Sequence, residues 1–245
     1  MVTAPVCHRI LLPSPMSRRV WGMSIRTLAR MADGRPREVL GGSGAILDVE
    51  LARAEAAGRA GRSVVLVEGA SDQRAVEVLA DRRGRSLDRE GVEVIATAGV
   101  SNLPRFLGLL GPDGHGVPLA GLCDSPETPR VQRALEEVGM VGSDAPLESA
   151  GFFVCVVDLE DELIRTMGTD RMLGLIESQG HRRRFHSFQN QPAQRGKSLH
   201  AQIRRWLGNY KIRYAPLMVG ALDPGEAPPP MANLLAYIGD VTSAR

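Results

Sequence analysis

The 245 residues are 43% hydrophobic and 24% charged, ordinary values for a folded chain with a sizeable core. No apolar run approaches the ~18 residues of a spanning helix, which excludes a membrane-spanning helix, and three widely spaced cysteines (Cys7, Cys123, Cys155) exclude a disulfide framework or a Cys-type zinc site. Aromatics are few (2 Trp, 3 Tyr, 5 Phe), which argues against a platform of interleaved rings for stacking bases, and the net charge of +2 conceals a segregation.

Residues 1–62 carry 10 Arg and 5 acids, residues 63–180 carry 10 Arg and 20 acids, and residues 181–245 carry 10 basic side chains and 3 acids. Nine of those last basic residues fall within 181–213, where there is no acid at all. Solvated surface explains such a pattern. So does function, because clustered carboxylates hold metal and clustered arginines hold phosphate. The excess of 28 Arg over 2 Lys reads as genome composition rather than chemistry.

Taken in chain order, Arg18–Arg19 superficially suggest a twin-arginine signal. Ser24, Arg26, Thr27 and Arg30 interrupt the apolar stretch such a signal needs, so export is rejected and the cytoplasm is expected. Residues 1–44 read as a disordered or mis-started segment, with Met16, Met23 or Met31 as alternative starts. A helical lead-in over 45–62 follows the Gly41–Gly42–Ser43–Gly44 joint, with Leu47, Leu51 and Ala54 on one face.

From residue 63 strands and helices alternate. Val64–Val67 is a short apolar run of the kind buried in parallel sheets, and Ser71 is placed to cap a helix running to Arg83. Val92–Thr97 is a second strand, followed by a helix from Ser101 or Asn102. Val117–Cys123 is a third, followed by a helix over Pro129–Val138. Phe152–Val157 is a fourth. This spacing predicts βαβ crossovers and an α/β fold: a four-stranded parallel sheet flanked by helices, with a helical C-terminal extension. The expected division is a core over 63–168 and a basic helical extension over 169–245.

Ligands of open parallel sheets bind beyond the carboxyl ends of the strands. Glu68, Asp124 and Asp158 each follow a predicted strand, so three carboxylates share one sheet edge. Each singly could be a helix N-cap, Asp158 above all, with Asp161 three residues on. Together they repel unless a cation sits among them, and oxygen ligands at this density favour Mg²⁺ or Mn²⁺.

Val64–Val67 followed by Glu68–Gly69 and by Asp72 resembles the first motif of the TOPRIM fold, shared by topoisomerases, bacterial primases and OLD-family nucleases. Leu119–Asp124 stands where that family closes its third strand with Asp-x-Asp. The likeness is greatest to OLD-type endonuclease modules, in a short form without the ATPase half. It extends through Phe153–Glu162 and Phe188–Gly196 to the stretch around Lys211. The resemblance implies a TOPRIM-like, Rossmann-like sheet and metal-dependent hydrolysis of DNA by a two-metal-like mechanism. It implies Glu68 as metal ligand and acid/base. It implies Asp72, Asp124 and Glu160 as further metal ligands, with Asp158 and Glu162 competing for the place of Glu160. Lys211 stands where those nucleases keep a lysine near the scissile phosphate.

Arg182, Arg183, Arg184, Arg195, Lys197, Arg204 and Arg205 are the candidate contacts to DNA phosphates. Arg204 and Arg205 also fit the polar face of a helix burying Ile203 and Leu207. The expected partners are DNA, a separately encoded ATPase and a second copy of the chain.

Pro126 replaces the second Asp of Asp-x-Asp, leaving Glu127 as the nearest carboxylate. That departure favours the competing reading, a degenerate module that binds nucleic acid or a partner ATPase without cleaving. Nucleotidyl transfer, as in primases, lacks an accompanying zinc-binding or polymerase segment. Gln191–Ser198 has a P-loop ending without the first glycine or a preceding strand, so it is not read as a nucleotide site. The five histidines show no ligand spacing and are expected to be solvated. Cys123 and Cys155 are expected to be buried, and Trp206 and Tyr210 to meet as core contacts.

Overall fold

A computed structural model describes residues 43–243. The expected N-terminal segment, the alternative starts, Cys7 and His8 lie outside the described residues. Helix α1 (Ser43–Arg59) leads into strand β1 (Ser63–Val67), α2 (Ala70–Arg82), β2 (Val92–Ala96) and α3 (Leu103–Leu110). Then come β3 (Leu119–Asp124), α4 (Thr128–Glu137) and β4 (Phe152–Cys155). Six helices complete the chain: α5 (Leu159–Met167), α6 (Thr169–Ser178), α7 (Arg182–Gln189), α8 (Leu199–Leu207), α9 (Lys211–Gly220) and α10 (Pro229–Ser243).

The four strands form one parallel sheet in the order β2-β1-β3-β4. Side chains alternate across a strand, and β1 shows what this does. Val65 and Val67 enter a core on one face, together with residues of α2, α5, α9 and α10. Val64 and Leu66 enter a second core on the other face, shared with α1, α3 and α4. All five β1 residues are buried, and Val64–Val67 form a continuous apolar run. The C-terminal helices are not a loose tail. Phe185, Ile203, Tyr214 and Met218 are buried in the same core as β1 and β4.

Gly121, in β3, has a specific steric reason. A Cβ there would stand 2.5 Å from Phe152 Cε1 and 2.8 Å from the Leu66 carbonyl oxygen. Only glycine lets β1, β3 and the Phe152 ring approach this closely.

Several expected boundaries shift. Helix α2 begins at Ala70 with Gly69 as its cap, and Ser71 lies buried inside it. The cap works through Asp72, whose Oδ2 accepts a 3.0 Å bond from the Gly69 N–H. Strand β4 stops at Cys155, two residues early, because the Val156 N–H turns to Glu162 Oε1 at 2.9 Å. Asp158 therefore does not end a strand. It is the N-cap of α5, its Oδ1 accepting from the Asp161 N–H at 2.8 Å.

Candidate active site

The sheet delivers its acids to one edge. Glu68 follows β1 directly and is exposed, and Asp124 is the last residue of the neighbouring β3. The backbone around Glu68 is pinned by the next loop, since its carbonyl accepts from the Gly99 N–H at 3.2 Å. That loop is strained. Ala98 has φ 56°, the left-handed region a side chain avoids. Asn102 Nδ2 holds it there, donating to the Thr97 and Ala98 carbonyls at 3.1 and 3.0 Å. Nothing in the spacing of residues 97–102 announces this clasp.

Burial, reinforced by Glu160 and Glu68, pushes the Asp72 carboxyl up to about 6 against the pull of the Gly69 N–H and Lys211. Burial also raises Asp124, to about 7, with Asp72, Glu68, Asp158 and Glu160 adding repulsion. Burial is the larger cause for both, and the neighbouring acids add to it without enough positive charge to offset them. Glu127 joins Glu68, Asp124 and Thr97 in lining one small cavity, and Arg130 Nη1 holds it at 3.1 Å.

Glu160 sits in the first turn of α5, almost wholly buried. Its Oε2 meets Lys211 Nζ at 2.8 Å, whereas its buried Oε1 has no hydrogen-bond partner. Burial opposes the charge on Lys211, yet Glu160 raises its pKa above the ordinary value. A half-satisfied buried carboxylate is costly, which makes the free oxygen a natural cation ligand.

Asp158 is differently placed. Burial works against its charge, but Arg204, at 2.6 Å to Oδ2, holds its carboxyl below the usual range. With its charge already matched and its Oδ1 capping α5, Asp158 has less reason to bind metal than Glu160. Glu162 is engaged too, by Arg165 at 2.6 Å and the Val156 N–H. Asp161 is bound by Arg165 at 3.0 Å and by His200 Nε2 at 2.6 Å.

The basic residues fall into two groups. Lys197, Arg204, Arg205 and Lys211 line a cleft of about 400 Å³ with Asp158 and Glu160. Arg183 and Arg184 line a separate open groove on α7. Arg182 is exposed and pairs with Glu177 at 2.6 Å, and Arg195 is exposed with its Nε on the Asn190 carbonyl at 3.3 Å. Ile203 and Leu207 are buried beneath Arg204 and Arg205, as the helical reading expected. Ser198, in the stretch with the P-loop ending, caps α8 by accepting from the Ala201 N–H. His181 departs from expectation. It is buried, its Nδ1 2.9 Å from the Tyr214 hydroxyl.

Among the described residues no three His, Cys, Asp or Glu side chains already stand as a metal cage. The donor set nonetheless suits a hard divalent cation. It is all oxygen, it carries excess negative charge, and it includes the orphaned Glu160 Oε1.

The raised acids fix a sign for stability. An unfolded aspartate titrates near 3.8. Between that value and about 6 to 7 the folded chain keeps protons that the unfolded chain has lost. These two groups therefore make stability fall as pH rises through that window. Metal-free protein is expected to melt roughly 5 °C lower at pH 8 than at pH 5.5, with the difference shrinking in Asp124→Asn and on adding Mn²⁺. Melting curves check this, and a Tm that rises with pH in the metal-free protein contradicts it.

Comparison with known proteins places this geometry. Residues 61–125 match the family described as Overcoming lysogenization defect protein-like, TOPRIM domain. The chain is similar to the C-terminal region of the Burkholderia pseudomallei OLD protein. Identity is 25% and the TM-score 0.57, over 74% of this chain and 98% of that one. It is also similar to the corresponding region of the Xanthomonas campestris pv. campestris OLD protein, at 24% identity and a TM-score of 0.59, over 75% and 94% of the two chains. No curated protein matches.

Proposed function

Since the chain carries an OLD-like TOPRIM module, we propose that it is an Mg²⁺- or Mn²⁺-dependent endonuclease hydrolysing DNA phosphodiesters in the cytoplasm. Residues 63–168 would be its catalytic core and 169–245 its basic extension. The observation that carries this reading is the carboxylate edge, where burial drives Asp72 and Asp124 toward neutrality, with repulsion from Glu160 and Glu68 on both and from Asp72 on Asp124.

Glu68, Asp72, Asp124 and the free Oε1 of Glu160 would hold the metal, with Glu127 supplying the carboxylate that Pro126 cannot. A bound divalent cation supplies charge neutralisation at phosphorus and a more acidic water. The chain's own groups do the rest. Glu68, exposed at the edge, is free to accept a proton from the attacking water. Lys211 reaches the cleft with its side chain 45% exposed and can donate to a phosphate oxygen. Lys197 and Arg205 face the same cleft and fix the backbone without reading sequence. Arg204 is shared, because its guanidinium is already bound to Asp158.

Pro126 supports the second reading, a module that binds DNA or a separately encoded ATPase without cleaving. Supercoiled plasmid separates the two. Hydrolysis predicts nicked circles with Mn²⁺ and none with EDTA. Salt-dependent binding with no nicking under any divalent metal would replace the first reading with the second.

A further inference from the structure

The groove on α7 has a different character from the cleft beside Glu160. It is open, of about 450 Å³, and lined by Arg183, Arg184, Phe188, Gln191, Asn209 and Tyr210 among others. Five of the chain's ten aromatic residues gather here: Phe185, Phe188, Trp206, Tyr210 and Tyr214. Trp206 and Tyr210 stand 4.6 Å apart between ring centroids, and buried His181 lies against both. Phe185, Trp206 and Tyr214 are buried and support the floor. Phe188 and Tyr210 are partly exposed and form the wall. The scarcity of aromatics along the chain therefore does not hold locally.

We propose that this groove receives an unpaired nucleobase of the DNA whose backbone lies in the neighbouring cleft. The proposal rests on the nuclease-like reading and names the form of its substrate: a strand with at least one base out of its duplex stack. Three features carry it. Partly exposed rings over a rigid aromatic floor suit the flat face of a base. Gln191 and Asn209 offer side-chain amides, which both donate and accept, to a base edge. No acid lines the groove, and two arginines do, which suits the phosphates flanking that base.

Continuity fixes the occupant. Gly208 lines the cleft beside Glu160 and Asn209 lines the groove, so the two sites meet at consecutive residues after α8. An apolar ligand would leave the arginines unused, and an acidic peptide would leave the rings unused.

The test compares a 12-nucleotide single strand with an abasic strand of equal phosphate count, bound to the full chain in EDTA. The normal strand is expected to bind about tenfold tighter. Tyr210→Leu with Phe188→Leu should remove that difference and leave the salt slope unchanged, whereas Tyr210→Phe, which keeps the ring, should preserve it. Arg183→Ala with Arg184→Ala should weaken both strands alike and lower the salt slope. Equal affinity for the two strands overturns the proposal. So does a preference that survives loss of both rings. Plasmid nicking by the same variants separates the two ideas: a base preference without nicking leaves the groove standing and removes the hydrolysis, and nicking without a base preference does the reverse.

Discussion

Glu68→Gln is expected to lower Mn²⁺-dependent plasmid nicking about a thousandfold, while leaving the melting temperature within error. The residue is exposed just beyond β1, so its loss removes no core packing. The substitution keeps shape and removes the negative charge. On the proposed reading it deletes a metal ligand and the group that would take a proton from water. DNA binding in EDTA should persist, because the cations of the cleft and the groove are untouched. Undiminished nicking by the variant would mean the carboxylate edge is not where chemistry occurs.

Lys211→Met carries the second large effect, and it acts on both stability and activity. Lys211 Nζ is the partner of Glu160 Oε2, and Glu160 Oε1 is already unpartnered. Removing the ammonium leaves a buried carboxylate with neither oxygen bound by Lys211 or by hydrogen bonds. Breaking a buried pair from one side costs roughly 2–3 kcal/mol where the lost partner is half-exposed, a fall of about 8 °C in Tm. Adding Glu160→Met should recover most of it, since no stranded charge remains. Mn²⁺ should raise the Tm of Lys211→Met more than that of the parent, because the cation takes over the lost compensation. On the proposed reading nicking should fall as well, because Lys211 would donate to a phosphate oxygen. A variant with unchanged melting would show that Lys211 and Glu160 do not depend on one another.

Much of this arrangement was legible in the sequence because it follows from period and spacing. Val64–Val67, Val92–Ala96 and Leu119–Cys123 are largely apolar stretches separated by helix-length segments, and such stretches favour a parallel sheet. Glu68 and Asp124 were placed on one edge by that rule alone. Side-chain partnership was less legible. Asp158 and Glu160 are two residues apart and chemically alike. Asp158 meets Arg204, 46 residues away, and Glu160 meets Lys211, so one is neutralised and the other left half-satisfied. Such pairings depend on how α8 and α9 return to α5, which no local pattern states. Ser71 is a good cap by type, but the Asp72 carboxylate reaches back to Gly69 and moves the cap two positions earlier. The groove was hidden for a related reason. Phe188 and Tyr210 lie 22 positions apart, and only the packing of α7 beside α8 makes them one wall.

On the proposed reading the carboxylates at the ends of β1 and β3 and on α5 would hold a divalent metal. Titration of Mn²⁺ into the metal-free full chain at pH 8, followed by the loss of the free-ion electron paramagnetic resonance signal, tests it without reference to cleavage. Saturable binding is predicted, weakened about tenfold or more by Glu68→Gln and by Asp124→Asn. Binding that is absent, or equally tight in both variants, would contradict it.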